Sequence, residues 1–151
     1  MTMSCDILIA GGGMVGGTLA CALGGSGLRI VVIEPQAHTA TERVAGLRVS
    51  AITPASQTVF ENVGAWAGMR TPRADNAGTV FLPAPVEAMR IREDNSILNF
   101  DSADIGEPCL AWIVENSVIV AALAARMRQF PNIEVLSPAR VDSVRLDGEC
   151  A

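Results

Sequence analysis

Hydrophobic positions come first in short continuous runs and then, further along, at helical spacing. Cys5–Ala10 (CDILIA) is an apolar run ended by glycine, which predicts a buried parallel strand. Met14 to about Ser26 is rich in Ala and Leu and predicts a helix that Gly27 ends. Arg29–Glu34 (RIVVIE) predicts a second buried strand, and Pro35–Leu47 a long polar loop. Arg48–Ile52 (RVSAI) is a short extended segment. Thr53 then reads as an N-cap with Pro54 in the first helical position, for a helix running to about Val63 and stopped by Gly64. Residues 71–86 carry Pro72, Gly78, Pro83 and Pro85, so regular structure is expected to break there.

The second half is more alternating. Glu87–Arg92 and Ile97–Phe100 predict strands joined by a turn at Asp94-Asn95, in an antiparallel layer beside the parallel sheet. Leu110–Val114 is extended. Asn116–Phe130 predicts an amphipathic helix with Val118, Ala121, Ala122 and Ala125 on one face. Ile133–Leu136 is a third apolar strand, and Val141–Leu146 predicts an exposed one. Asp147-Gly148 is a hairpin signal with only Glu149–Ala151 after it, so the chain reads as a fragment. The fold class that follows is α/β, a Rossmann-like βαβ unit with a parallel sheet plus an antiparallel β layer.

Composition narrows the function. The chain has 151 residues, 50% hydrophobic and 18% charged, a globular balance. A net charge of -5 argues against a nucleic-acid partner, which needs a basic face. No apolar run reaches the ~18 residues of a membrane span, and no signal peptide is recognisable. A cytoplasmic protein is expected. Cys5, Cys21, Cys109 and Cys150 form no C-x-x-C pair and read as reduced. His38 is the only histidine, so no metal site is expected. Glu93, Asp94, Asp101 and Asp104 read as solvated turn charges, and Trp66 and Trp112 as hydrophobic anchors.

The sharpest chemical signal is Gly11-Gly12-Gly13-Met14-Val15-Gly16, a G-x-G-x-x-G set between the first strand and the helix. Gly11 permits the turn, Gly13 lets a pyrophosphate approach the backbone, and Gly16 lets the helix pack closely on the sheet. The positive end of the helix faces the pyrophosphate. Glu34 ends the second strand about 20 residues beyond Gly13, the separation expected of an acid that binds ribose hydroxyls. Its carboxylate would repel the 2′-phosphate of NADP. These features predict a site for the ADP half of a dinucleotide, and both FAD and NAD satisfy them.

Four stretches carry a family resemblance: DILIAGGGMVGG at Asp6–Gly17, RVSAI at Arg48–Ile52, VGAW at Val63–Trp66 and IVENSVI at Ile113–Ile119. In order and spacing the chain resembles the flavin-dependent aromatic hydroxylases of ubiquinone biosynthesis (the UbiH/UbiF/VisC group), themselves similar to p-hydroxybenzoate hydroxylase. The resemblance covers all 151 residues but only the N-terminal third of such an enzyme. It implies an incomplete p-hydroxybenzoate-hydroxylase-like fold, the N-terminal part of an FAD-binding domain, with residues ~71–112 in the substrate-side β layer. The family's later Asp-Gly and Gly-Asp motifs are absent.

The resemblance implies FAD as cofactor, NAD(P)H as reductant and O2 as co-substrate, with a polyprenylated phenol or quinone intermediate as the ring hydroxylated. It also implies peripheral association with the inner membrane and a complex with other ubiquinone-biosynthesis proteins. The cofactor residues it points to are Gly11, Gly12, Gly13, Met14, Val15, Gly16, Glu34, Arg48, Glu115 and Val141. Arg48 would anchor the flavin through its guanidinium fork. For Glu115 two readings stand open, a cofactor contact or an ordinary helix N-cap region served by Glu115 or Asn116. Val141 is either an adenine-edge contact or a core strand residue. No catalytic acid or base is assigned, because the flavin carries the chemistry. Two alternatives remain: an NAD-linked oxidoreductase using the same loop, or a non-catalytic nucleotide-binding fragment. The 151 residues alone are expected to lack hydroxylase activity.

Overall fold

The computed structural model describes residues 3–36, 48–74 and 80–145. The chain begins with strand β1 (Ile7–Ala10), helix α1 (Met14–Ala22) and strand β2 (Ile30–Ile33). Next come β3 (Val49–Ile52), α2 (Pro54–Asn62) and the short α3 (Trp66–Met69). Four short strands follow, β4 (Arg73–Ala74), β5 (Val80–Phe81), β6 (Ala84–Val86) and β7 (Ala88–Glu93). Strand β8 (Ser96–Asp101) leads through a 3-10 turn (Ser102–Ile105) to β9 (Ala111–Glu115), α4 (Asn116–Met127) and β10 (Ile133–Leu136).

The architecture is mixed α/β, as the hydrophobic pattern predicts. Strands β1, β2 and β10 form a parallel sheet with β2 in the middle, Ile30 paired with both Ile7 and Ile133. That position explains the uninterrupted IVVI run: Ile30, Val31 and Val32 are all buried. A second, antiparallel sheet has the order β3-β9-β6. Two further pairs, β4-β5 and β7-β8, stand as two-stranded sheets.

One core joins the two main sheets. Helix α4 runs through it, with Val118, Ile119, Ala122, Leu123, Ala124 and Met127 all buried. Leu123 lies against Gly17 of α1, where an added Cβ would come within 3.3 Å of it. On the other side, Ala122 sits as close to Gly68 of α3. Trp66 and Trp112 are anchors, as expected, packed edge to face with ring centroids 6.3 Å apart. Trp112 donates its indole N–H to Gln57 at 2.8 Å.

Several boundaries differ from expectation. Helix α1 ends at Ala22 instead of near Ser26, because Gly25 and Gly27 both take positive φ and cannot continue a helix. Asn132 clamps that turn, accepting from the Gly25 N–H and donating to the Leu23 and Leu28 carbonyls. Helix α4 stops at Met127, short of Phe130. Its buried face is wider than Val118, Ala121, Ala122 and Ala125: Ala121 and Ala125 are exposed, and Ile119, Leu123 and Met127 replace them. The cause is that α4 touches α1 on one side and α3 on another.

The proline-rich stretch is more regular than expected, since β6 pairs with β9 even with Pro85 inside it. It is an edge strand, where a missing N–H is tolerated. Residues 141–145 form no strand and are exposed. Thr53 caps α2 as predicted, accepting from the Ser56 N–H at 3.3 Å. Of the four cysteines, Cys5, Cys21 and Cys109 are free thiols, and Cys150 lies outside the described residues with His38 and the Asp147-Gly148 turn.

Candidate functional site

The glycine loop joins the end of β1 to the start of α1. Gly11 has φ +103°, a conformation that side chains other than glycine rarely adopt. Its N–H donates to the Ile33 carbonyl at 2.8 Å, fastening the loop to β2. Gly13 is the N-cap of α1 in an extended conformation, and a Cβ there would meet nothing within 4 Å. Gly16 is the opposite case: a Cβ would overlap the Gly11 carbonyl oxygen and press on Ile9. Gly16 is thus closed off by the protein itself, while Gly13 faces open space.

Glu34 is buried although charged, and its surroundings explain why. One carboxylate oxygen accepts from the Gly12 N–H at 2.7 Å, and the other from the Gln36 N–H at 2.9 Å. Such bonds hold a carboxylate in place and offset the cost of burying it. Each oxygen keeps a further lone-pair direction for a hydroxyl donor. A Cβ at Gly12 would stand 3.4 Å from the Glu34 side chain, in contact with it. With the Gly12 N–H engaged by Glu34, the α1 first turn presents N–H groups that no carbonyl of its own helix can engage. It carries no acidic side chain to cancel its positive end. Val15, in that turn, is 85% exposed.

The other predicted residues fall into two places. Ala139 donates its N–H to the Glu34 carbonyl at 2.9 Å, so the segment leading to Val141 runs past the acid. Val141 itself is exposed, which removes the core-strand reading. Arg48 is exposed immediately before β3, and Glu115 closes β9 directly opposite Val49. Arg48 and Glu115 therefore share one end of the antiparallel sheet, where the Asn116 N–H donates to the Arg48 carbonyl at 3.0 Å.

Glu115 is the N-cap of α4 but makes no side-chain capping bond; it accepts from Ser117 Oγ at 3.3 Å. Asn116 does not cap the helix either. Its Oδ1 accepts from Ser50 Oγ at 2.7 Å, and the same hydroxyl oxygen lies 3.9 Å from Met14 Sδ. Sequence reasoning used RVSAI and VENSVI as signatures but singled out neither Ser50 nor Asn116. Small polar residues inside two separated motifs were the available signal.

An apolar cavity of about 190 Å³ lies against the same sheet, bounded by Val49, Met69, Leu82, Ile113, Glu115 and Val118. The buried thiols are not part of this site. Cys21 donates to the Leu123 carbonyl, and burial pushes it up to about 11, with Arg126 opposing weakly. Burial, with Glu107 and Glu87, raises Cys109 as well.

Comparison with known proteins follows the same lines. No family model matches the chain. The ubiquinone hydroxylase UbiL of Rhodospirillum rubrum is 35% identical over 94% of this chain and 31% of its own length. The mitochondrial ubiquinone biosynthesis monooxygenase COQ6 of Drosophila melanogaster is 31% identical over 93% of this chain and 29% of its own. The 3-demethoxyubiquinol 3-hydroxylase of Escherichia coli is 30% identical over 88% and 32%. Among solved structures, p-nitrophenol 4-monooxygenase PnpA from Pseudomonas putida matches 97% of this chain and 35% of its own, with a TM-score of 0.69 at 19% identity. A probable FAD-dependent monooxygenase, pqsL from Pseudomonas aeruginosa, matches 95% and 35%, with a TM-score of 0.66 at 22% identity. At such identities the structures speak for the fold alone. By sequence the chain is similar to the hydroxylases and monooxygenases of ubiquinone biosynthesis, its fold is shared with solved monooxygenases, and it spans about a third of the length of such a protein.

Proposed function

We propose that this chain forms the ADP-binding part of the FAD site in an aromatic-ring monooxygenase of ubiquinone biosynthesis. The substrate would be a polyprenylated phenol or quinone intermediate, with NAD(P)H as reductant and O2 as oxygen donor. The carrying observation is the contrast within the loop: Gly13 faces open space beside the α1 N-terminus, next to a carboxylate already oriented by two backbone N–H groups.

The residues present fit the cofactor. Glu34 accepts from the adenosine ribose, and its charge selects against a 2′-phosphate. The first-turn amides of Met14, Val15 and Gly16 hold the diphosphate. Val15, exposed on the first turn of the helix, would cover the cofactor, and Val141 would contact the adenine edge. Arg48 and Glu115 would hold it from the end of the antiparallel sheet, where a guanidinium suits phosphate oxygens. When bound, the flavin supplies the redox chemistry and oxygen transfer. The protein's share is orientation and exclusion of water. The cavity beside Val49 and Ile113 has the apolar lining a substrate ring or prenyl unit needs. The relatives named for ubiquinone biosynthesis support that substrate class. A prenylated substrate would bring the protein to a membrane surface and to its pathway neighbours. No helix among the described residues is long and apolar enough to cross one.

The chain alone is expected to bind FAD without turning over a phenol. The test is a titration of the 15N-labelled chain with FAD, read at the amides of Gly11–Gly16 and Glu34. Gly13→Ala should cost at most about 1 kcal/mol of fold stability, the penalty for Ala at an N-cap. It should nevertheless weaken FAD at least tenfold, because the new methyl occupies the cofactor's path. Shifts with NAD but none with millimolar FAD would sink the flavin reading.

A further inference from the structure

We infer that Ser50 is a positioning residue, one hydroxyl that sets how the antiparallel sheet presents Arg48 and Glu115 to the dinucleotide. This inference rests on the FAD reading above and names a residue that reading did not need. Three chain segments meet at Ser50. Its Oγ donates to Asn116 Oδ1 at 2.7 Å, in a half-buried setting, and lies 3.9 Å from the Met14 sulfur. Each neighbour belongs to a different part of the site. Met14 opens α1 directly behind the glycine loop. Ser50 lies in β3, two positions after Arg48. Asn116 opens α4, directly after Glu115.

The surrounding geometry explains why one hydroxyl matters. Strands β3 and β9 are paired in register, Val49 with Glu115 and Ser50 with Val114, so Arg48 and Glu115 move with the strand ends. The Asn116 N–H bond to the Arg48 carbonyl ties those ends to each other. Ladder and backbone bonds hold β3 to β9, but none of them refers to α1. From β3, the Ser50 hydroxyl bonds to the start of α4 and lies beside the start of α1. It links the register of the sheet to the glycine loop. Asn116 would otherwise be free to bond its own helix end, as Asn does in N-terminal positions.

The consequence is selective. AMP uses Glu34 and the adenosine side of the site, whereas FAD also needs the half that Arg48 and Glu115 approach. Ser50→Ala should therefore weaken FAD about tenfold, the effect of one lost hydrogen bond. It should leave AMP affinity within about twofold. Ser50→Thr, which keeps the hydroxyl on a strand-favouring residue, should restore FAD. The experiment is a parallel titration of the whole chain and both variants with AMP and with FAD. Backbone amide shifts read the binding, and the Met14 13C-methyl resonance reads the clamp without ligand. That resonance should move in Ser50→Ala and return in Ser50→Thr.

Equal weakening of AMP and FAD in Ser50→Ala would overturn the inference, since it would mark a general loss of structure. Unchanged FAD affinity would overturn it too. In both cases the flavin reading survives, because the unaltered chain still binds. If the unaltered chain binds neither ligand, the flavin reading fails and the positioning role falls with it.

Discussion

Strand β2 and the β7-β8 hairpin both carry large apolar side chains, yet they are opposites in burial. Ile30, Val31 and Val32 of β2 are essentially inaccessible, held between β1 and β10 with α1 packed on the strand. All twelve residues of β7 and β8 are exposed. The hairpin is still well formed. Met89 pairs with Phe100 and Ile91 with Leu98 on one face, and on the other Arg90 donates to Asn99 at 2.9 Å. Asp94 supplies the turn with φ +47°. Cross-strand pairs and turn chemistry can therefore define a strand pair locally. They do not tell whether anything covers it, and a two-stranded sheet alone adds little stability.

The most severe way to break this contrast is to empty the layered core. Leu123→Ala removes a fully buried side chain packed against Gly17, and should cost about 2–5 kcal/mol in urea unfolding. A cost below 1 kcal/mol would mean that α1 and α4 are not the seam that holds the layers together. A second, smaller effect comes from pH. Burial raises the Cys21 thiol from 9.0 to about 11, so the folded state keeps a proton that the unfolded chain loses. Stability should therefore be unaffected below pH 9 and fall between pH 9 and 11, by on the order of 2 kcal/mol. Cys109 adds in the same direction. The chain contains no tyrosine and no lysine, so few other groups titrate in that window. Cys21→Ala should flatten the curve, and a profile unchanged by that substitution would contradict the assignment. The smallest effect is expected in the hairpin. Ile91→Thr with Leu98→Thr should alter stability by no more than about 0.5 kcal/mol. A loss above 2 kcal/mol would show that this face is buried after all and erase the comparison.

The same contrast separates what was legible from what was not. Gly11–Gly16 and Glu34 could be read because their constraints are local or lie one strand apart: a positive φ at Gly11, a close approach at Gly16, a carboxylate meeting the Gly12 N–H. The Asp94-Asn95 turn was equally legible. The buried face of α4 was not, because small alanines such as Ala121 and Ala125 fit either side, and two packing partners widened the stripe. Strand β6 was hidden by Pro85, which disfavours a strand in general but is harmless at an edge. Val141–Arg145 alternates like a strand but finds no partner among the described residues.

Ser50 and Asn116 make the division most plainly. By themselves they are two unremarkable polar residues in two short motifs. Their hydrogen bond joins positions 66 residues apart, and no spacing rule reaches that far. The amino-acid sequence alone determined the βαβ unit, its glycine loop and the acid that completes it, because strand burial, helix start and backbone conformation are set by neighbouring residues. Only the tertiary structure decided which face of α4 is buried, that the hairpin stands uncovered, and that Arg48 and Glu115 meet at one end of the antiparallel sheet near Ser50. Those outcomes depend on which distant segments pack together, a choice made by the whole core at once.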